Sequence, residues 1–298
     1  MLPDQPFDLS ATLQSGQTFH WHAWEGGWLG SIGDDPVWVR QTAGGLEIIP
    51  QGMEEKVRGY FALDHDVVAM MRSFPAGDVP LATALAFCPG LRILRQPLWE
   101  CLATFITSSL KQVPHIRKIS LTLRERFGVE LPTVMEGAPK LYGYPTPQAL
   151  AEAGEGALWE CGLGYRAAFL HRAAVDLAAG RVDAAMLAGQ SDDEARATLM
   201  QLHGVGEKIA NCVLLFACER LAAFPIDVWI ERVLHQLYFA RKRRRTAEQI
   251  RKFAARHFGP YAGYAQQFLF HHARLTKLRP GASDASRGPA GQLLRPAP

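Results

Sequence analysis

One change of periodicity, at PAGDVP (Pro75 to Pro80), divides the chain into two kinds of structure. Before it, TFHWHAW (Thr18 to Trp24), GWLGSI (Gly27 to Ile32), VWVRQ (Val37 to Gln41) and LEIIP (Leu46 to Pro50) are short, aromatic and alternating. EGG, GDDP and AGG separate them, and such residues make the tight turns of antiparallel strands. The tryptophans read mostly as sheet and core packing. After the break, apolar residues recur at helical spacing in PLWECLATFITSSL, KIANCVLLFA, DVWIERVLHQLYF and YAGYAQQFLFHHARL. The pattern predicts an α+β chain, with an antiparallel sheet domain over 1–80 and a helical region over 81–278. Residues 279–298 are rich in proline, glycine and serine and read as a disordered tail.

Hydrophobic residues make up 48% of the chain and charged residues 20%, the balance of a soluble globular protein. A net charge of +3 is compatible with a polyanionic partner without demanding one. The five cysteines are odd in number, scattered, and form no C-x-x-C pair, which argues against a disulfide framework and for a reducing compartment. The N-terminus lacks the basic and apolar regions of a signal peptide, and no apolar run approaches membrane-spanning length. These features predict a cytoplasmic protein with no membrane partner.

The chemistry begins at LHGVGEKIANC (Leu202 to Cys212). SDDE (Ser191 to Glu194) opens one helix with a capping box, HGVG interrupts it, and a second helix starts near Glu207. Glycines allow close approach of a partner, and the amides at a helix start suit a phosphate oxygen. A plain corner between two packed helices explains the fragment equally well. Lys208 is unusual at the positive end of a helix: it either points into solvent or is easily deprotonated. It shares a helix face with Cys212, four residues on. Asp227, in FPID, stands where an N-cap belongs, and taken singly that is the simpler account. Beside Lys208, a carboxylate also handles protons and stabilises a cationic transition state. Gln266 and Phe270 are four apart on a later helix, as an amide and a ring are when they read a flat heterocycle. Ordinary amphipathic packing places them there too.

These residues together resemble the helix-hairpin-helix DNA glycosylase superfamily, and LQSGQTFHW, PLWECLATFITSS, GLGYRA and AGYAQQFLF resemble segments of 8-oxoguanine DNA glycosylase in the same order. The resemblance spans roughly residues 8–278 and identifies the helical part as a helix-hairpin-helix glycosylase region. It implies a bifunctional glycosylase/AP lyase, a monomer acting on double-stranded DNA that contains a damaged purine, with Lys208 as nucleophile at C1′ and Asp227 as its partner. It implies a base pocket of Gly16, Cys212, Gln266, Phe270 and Trp229. His203, Gly204, Val205 and Gly206 would grip the DNA backbone, with a monovalent cation as an optional bridge. Leu110, His115, Tyr165 and Arg166 would face the opposite strand. This sequence departs from the family at three places. Leu110 and His115 stand where an asparagine and an arginine are usual, which weakens any preference for cytosine opposite the lesion. Trp229 replaces a histidine and cannot pair with a phosphate in the same way.

Other signals carry less. RKRRR (Arg241 to Arg245) reads as a solvated loop more readily than as a phosphate contact. His271 and His272 are adjacent, so on a helix they diverge and make no metal pair; no metal site is expected. An iron–sulfur cluster needs four cysteines beyond Asp227, and none follows Cys218. Two other functions compete. A monofunctional alkyl-purine glycosylase uses water and needs no hairpin lysine, so Lys208 argues against it. A non-catalytic damage-binding protein has no use for Lys208 and Asp227 together.

Overall fold

The computed structural model describes residues 5–108, 111–239 and 245–276. The Asp8 carboxylate accepts the Ala11 N–H and caps α1 (Leu9–Gln14). Four strands follow, each antiparallel to the next: β1 (His22–Trp24), β2 (Gly27–Ile32), β3 (Asp35–Thr42) and β4 (Gly45–Ile49). Their register sets Trp28 against Val39 and Arg40 against Glu47. Ile32, Val37, Val39 and Leu46 join Val57 and Tyr60 of α2 (Glu54–Tyr60) in one apolar cluster.

The first strand is shorter than its alternating sequence suggests. Residues 17–21 are all buried, running between sheet and helices rather than along the ladder. His20 Nε2 lies 2.8 Å from the Ser31 carbonyl, and Trp21 Nε1 donates to the Tyr60 hydroxyl at 3.2 Å. Three helices also interrupt the stretch read from sequence as sheet: α1, α2 and α3 (Val67–Arg72). At 6 or 7 residues each they are too short for a helical period to show.

Beyond the break, α4 (Val79–Phe87) is capped by Asp78, which accepts the Leu81 N–H at 2.9 Å. Asp78 also accepts from the Tyr238 hydroxyl at 3.0 Å and pairs with His257 at 2.8 Å, so one buried carboxylate ties three helices together. In α5 (Leu98–Ser108), every residue from Glu100 to Ser108 is buried. The helices α6 (Val113–Phe127) and α8 (Arg166–Ala178) pack on α5, and α7 (Pro147–Leu158) packs on both of them, with a π-helical turn at Trp159–Leu163. Next come α9 (Ala184–Ala188) and α10 (Asp192–Met200), which opens with the expected Ser191–Glu194 capping box. The following helix, α11 (Glu207–Phe216), buries Ile209 to Phe216 and packs along α5. The body closes with α12 (Val228–Leu237), α13 (Ala247–Phe258) and α14 (Ala262–Thr276), the last packed on α4 and α12.

The sheet and helical parts interlock. Val67 and Met70 of α3 belong to the helical core, while Leu94 belongs to the sheet core. Glu100 of α5 pairs with Arg124 of α6 and lies 3.2 Å from His20, all three buried. No helix among the described residues is long and apolar enough to cross a membrane.

Candidate active site

The hairpin lies between Met200, where α10 ends, and Glu207, where α11 begins. Gly204 adopts φ +82°, in the left-handed region, and a Cβ there would lie 2.5 Å from Phe169 Cγ. Internal packing therefore demands this glycine. Gly206 has open space instead, with nothing within 4 Å of a Cβ. It caps α11 without a side-chain hydrogen bond, so the amides of the first turn stay available to an anion. Val205 is the buried residue of the turn. Its side chain is in the core, and its N–H donates to the Leu202 carbonyl at 3.1 Å, because an apolar residue here closes the turn. His203 is exposed and stands edge-on to Phe169, ring centroids 5.0 Å apart. We expect Gly204→Ala to cost about 2–3 kcal/mol, seen as a fall of several degrees in melting temperature. An unchanged melting temperature would mean that Phe169 yields.

A cavity of about 360 Å³ lies between the turn after α1, the end of α5, the start of α6, α11, the start of α12 and α14. Lys208 stands in the first turn of α11. Its Nζ donates to Ser108 Oγ at 3.3 Å and lies 4.9 Å from the Phe105 ring centroid. Phe105 in turn stacks on Phe216, centroids 5.5 Å apart. The amine is thus held over an apolar floor rather than free in solvent. Asp227 caps α12, accepting the Ile230 N–H at 2.8 Å. Burial pushes its carboxyl pKa up, against the pull of that N–H and of the Lys208 charge. It is the one carboxylate among the described residues lining the cavity, against the cations Lys111, Lys208 and Arg274. That excess of positive charge suits a polyanion.

Cys212 is 2% exposed, and burial pushes its thiol up to about 11 although Lys208 pulls the other way. It therefore packs as a neutral thiol and is no nucleophile at neutral pH. From α14 come Gln266 and Phe270. Gln266 is 4% exposed, and its Oε1 has no hydrogen-bond partner among the described residues. A buried acceptor left unpaired costs about 1–3 kcal/mol, so a ligand donor is its natural complement. Phe270 Cε1 would lie 3.1 Å from a Cβ on Gly16, whose φ is +84°. Trp229, in the first turn of α12, completes the lining.

Residues 1–102 match the family model of the 8-oxoguanine DNA glycosylase N-terminal domain, and residues 105–260 match that of the HhH-GPD superfamily base excision DNA repair proteins. The chain belongs to the HhH-GPD superfamily. This HhH-GPD chain is 30% identical to a Methanothermobacter thermautotrophicus protein named "Probable N-glycosylase/DNA lyase", over 94% of this chain and 99% of that one. A solved structure of MBOgg1 with a low-affinity DNA ligand matches with a TM-score of 0.85 at 34% identity, over 92% of this chain and 94% of that one. The 8-oxoguanine glycosylase/lyase of Clostridium acetobutylicum, in complex with double-stranded DNA containing cytosine opposite 8-oxoG, matches with a TM-score of 0.85 at 29% identity. That match likewise covers 92% of this chain and 94% of that one. Sheet first and helix-hairpin-helix body second is the expected order and the observed one.

The HhH-GPD cavity gathers Gly16, Lys208, Cys212, Asp227, Trp229, Gln266 and Phe270. Of the residues expected to face the opposite strand, His115, Tyr165 and Arg166 do not line it. Tyr165 is 52% exposed, whereas Arg166 is 6% exposed with its guanidinium 4.3 Å over the Tyr165 ring. His115 is exposed, 3.3 Å from Lys111 Nζ, which donates to the Gly162 carbonyl at 3.2 Å. Leu110 lies outside the described residues, as do 241–244 of the basic run and the tail 279–298. Arg245 places its guanidinium 5.3 Å over the Phe239 ring. Sequence reasoning missed Phe105 and Ser108 as supports of Lys208. The signal was there: FITS closes a mostly apolar helix with two hydroxyls, Thr107 and Ser108.

Proposed function

We propose that this chain is a bifunctional DNA glycosylase and AP lyase that removes 8-oxoguanine from duplex DNA. The observation that carries the reading is the Lys208 amine and the largely buried Asp227 carboxylate sharing a cavity with an unpaired acceptor at Gln266. The names of its relatives point the same way. Duplex DNA docks on the hairpin, and the damaged base leaves the stack at a cost of a few kcal/mol. The carbonyls of His203, Gly204 and Val205 accept no hydrogen bond among the described residues, which fits a monovalent cation that would add positive charge for a phosphate. Phe270 and Cys212 take the two faces of the base. The Watson–Crick edge of a guanine carries N–H donors, which suit Gln266 Oε1. The Gly16 carbonyl meets the N7–H that 8-oxoguanine has and guanine lacks.

Lys208 attacks C1′ as a free amine. The bond from C1′ to N9 breaks, and the base departs with its electron pair and takes up a proton. Asp227 receives the proton shed by the amine and stabilises positive charge on the sugar. Opening of the sugar ring leaves an imine on Lys208. Loss of a C2′ proton then expels the 3′ phosphate by β-elimination. Tyr165 enters the gap in the duplex, with Arg166 and His115 toward the orphaned base.

An excision assay over a panel of lesions, each opposite all four bases, tests the substrate. We expect 8-oxoguanine to be released and alkylated purines to be left in place. Without the family's asparagine and arginine, rates opposite the four bases should differ by less than about tenfold, one lost hydrogen bond's worth. Release of alkylated purines with refusal of 8-oxoguanine would overturn the assignment.

A further inference from the structure

We infer that Arg274 and Gln267 are positioning residues: from α14 they fix the turn at Gly16 so that its carbonyl distinguishes 8-oxoguanine from guanine. This role rests on the reading of the cavity as a purine site. Four successive carbonyls carry it. That of Gln14 accepts from Arg274 Nη2, that of Ser15 from Gln267 Nε2 at 2.9 Å, and that of Gln17 from Gln96 Nε2 at 3.0 Å. The Gly16 carbonyl accepts no hydrogen bond among the described residues, although Gly16 lines the cavity. A single acceptor left out of so complete a set calls for an outside donor.

The rest of the turn is equally restrained. Ser15 Oγ donates to the Thr12 carbonyl at 2.7 Å and accepts from Gln17 Nε2 at 2.8 Å. Gln17 Oε1 accepts the Leu94 N–H at 2.9 Å. On α14, Gln266, Phe270 and Arg274 follow at intervals of four and share a face. The Arg274 guanidinium carbon lies 5.7 Å from the Phe270 ring centroid, and its Nη1 would be 3.9 Å from a Cβ on Gly16. One helix therefore carries the edge-reading amide, the stacking ring and the clamp on the turn, and holds them in register.

The clamp matters for selectivity more than for affinity. Guanine presents a lone pair at N7, which a carbonyl oxygen repels; 8-oxoguanine presents N–H there, which it attracts. A peptide free to rotate would turn away from guanine and relax the repulsion. A fixed one cannot, so both the attraction and the repulsion count toward discrimination.

Equilibrium binding by the non-excising Lys208→Gln protein tests this on duplexes carrying 8-oxoguanine, guanine or 8-bromoguanine. The last has bulk at C8 but no N7–H. We expect a preference for 8-oxoguanine over both. Adding Gln267→Met should lower that preference by about tenfold, one hydrogen bond's worth, by weakening 8-oxoguanine binding and easing the repulsion of guanine; Arg274→Ala should lower the preference as much, on top of the loss common to all three duplexes that removal of a cavity cation brings. Arg274→Lys retains a donor and should restore most of it. An unchanged preference, or an equal loss on all three duplexes, would overturn the positioning role. If Lys208→Gln alone shows no preference, the purine-site reading fails first and takes the inference with it.

Discussion

Lys208→Gln should lower the single-turnover rate of base release by about a thousandfold or more, while the lesion duplex still binds. Glutamine is one atom shorter and stays polar but has no nucleophilic amine. Lys208 is only part-buried and Phe105 still floors the site, so the fold should persist. Melting within a few degrees of the native protein checks that. Base release at a near-native rate would make water the nucleophile and remove the lyase half of the mechanism.

Asp227→Asn should slow release by about a hundredfold to a thousandfold with little change in DNA affinity. Here catalysis and stability separate. Asparagine caps a helix as well as aspartate does, so the bond to the Ile230 N–H survives. Burial raises the Asp227 pKa above its ordinary value. A group raised on folding contributes its stability below the unfolded pKa and loses it as pH rises through the folded one. At neutral pH the buried charge is therefore a net cost, and removing it should leave the melting temperature unchanged or higher. The rate should fall on acidification through that raised pKa, and the acid limb should vanish in Asp227→Asn. Loss of folding in the variant would make Asp227 a cap and no more.

The two-part architecture was legible because a strand period and a helix period are local properties, and PAGDVP marks where one replaces the other. The cavity was legible for a related reason. Lys208 with Cys212, and Gln266 with Phe270, are pairs four apart, and a helix turns such spacing into a shared face. Partners distant in sequence leave no such trace. His20 meets Glu100 and Arg124 in a buried seam between sheet and helices, and nothing in TFHW announces it. Gln267 and Arg274 reach carbonyls 252 and 260 residues away, so the clamp on Gly16 appears only in three dimensions. Gly204 was recognisable as a turn glycine, but its cause, the Phe169 ring, was not. At Val205, the burial of the apolar side chain in the core was not announced by the two hairpin glycines beside it.

The central claim is a covalent imine between Lys208 and the sugar, and borohydride reduction reads it directly. With duplex containing 8-oxoguanine, the native protein should yield a stable adduct of protein and DNA, and Lys208→Gln should yield none. Base release without any trapped adduct, or an equal adduct in Lys208→Gln, would contradict the mechanism.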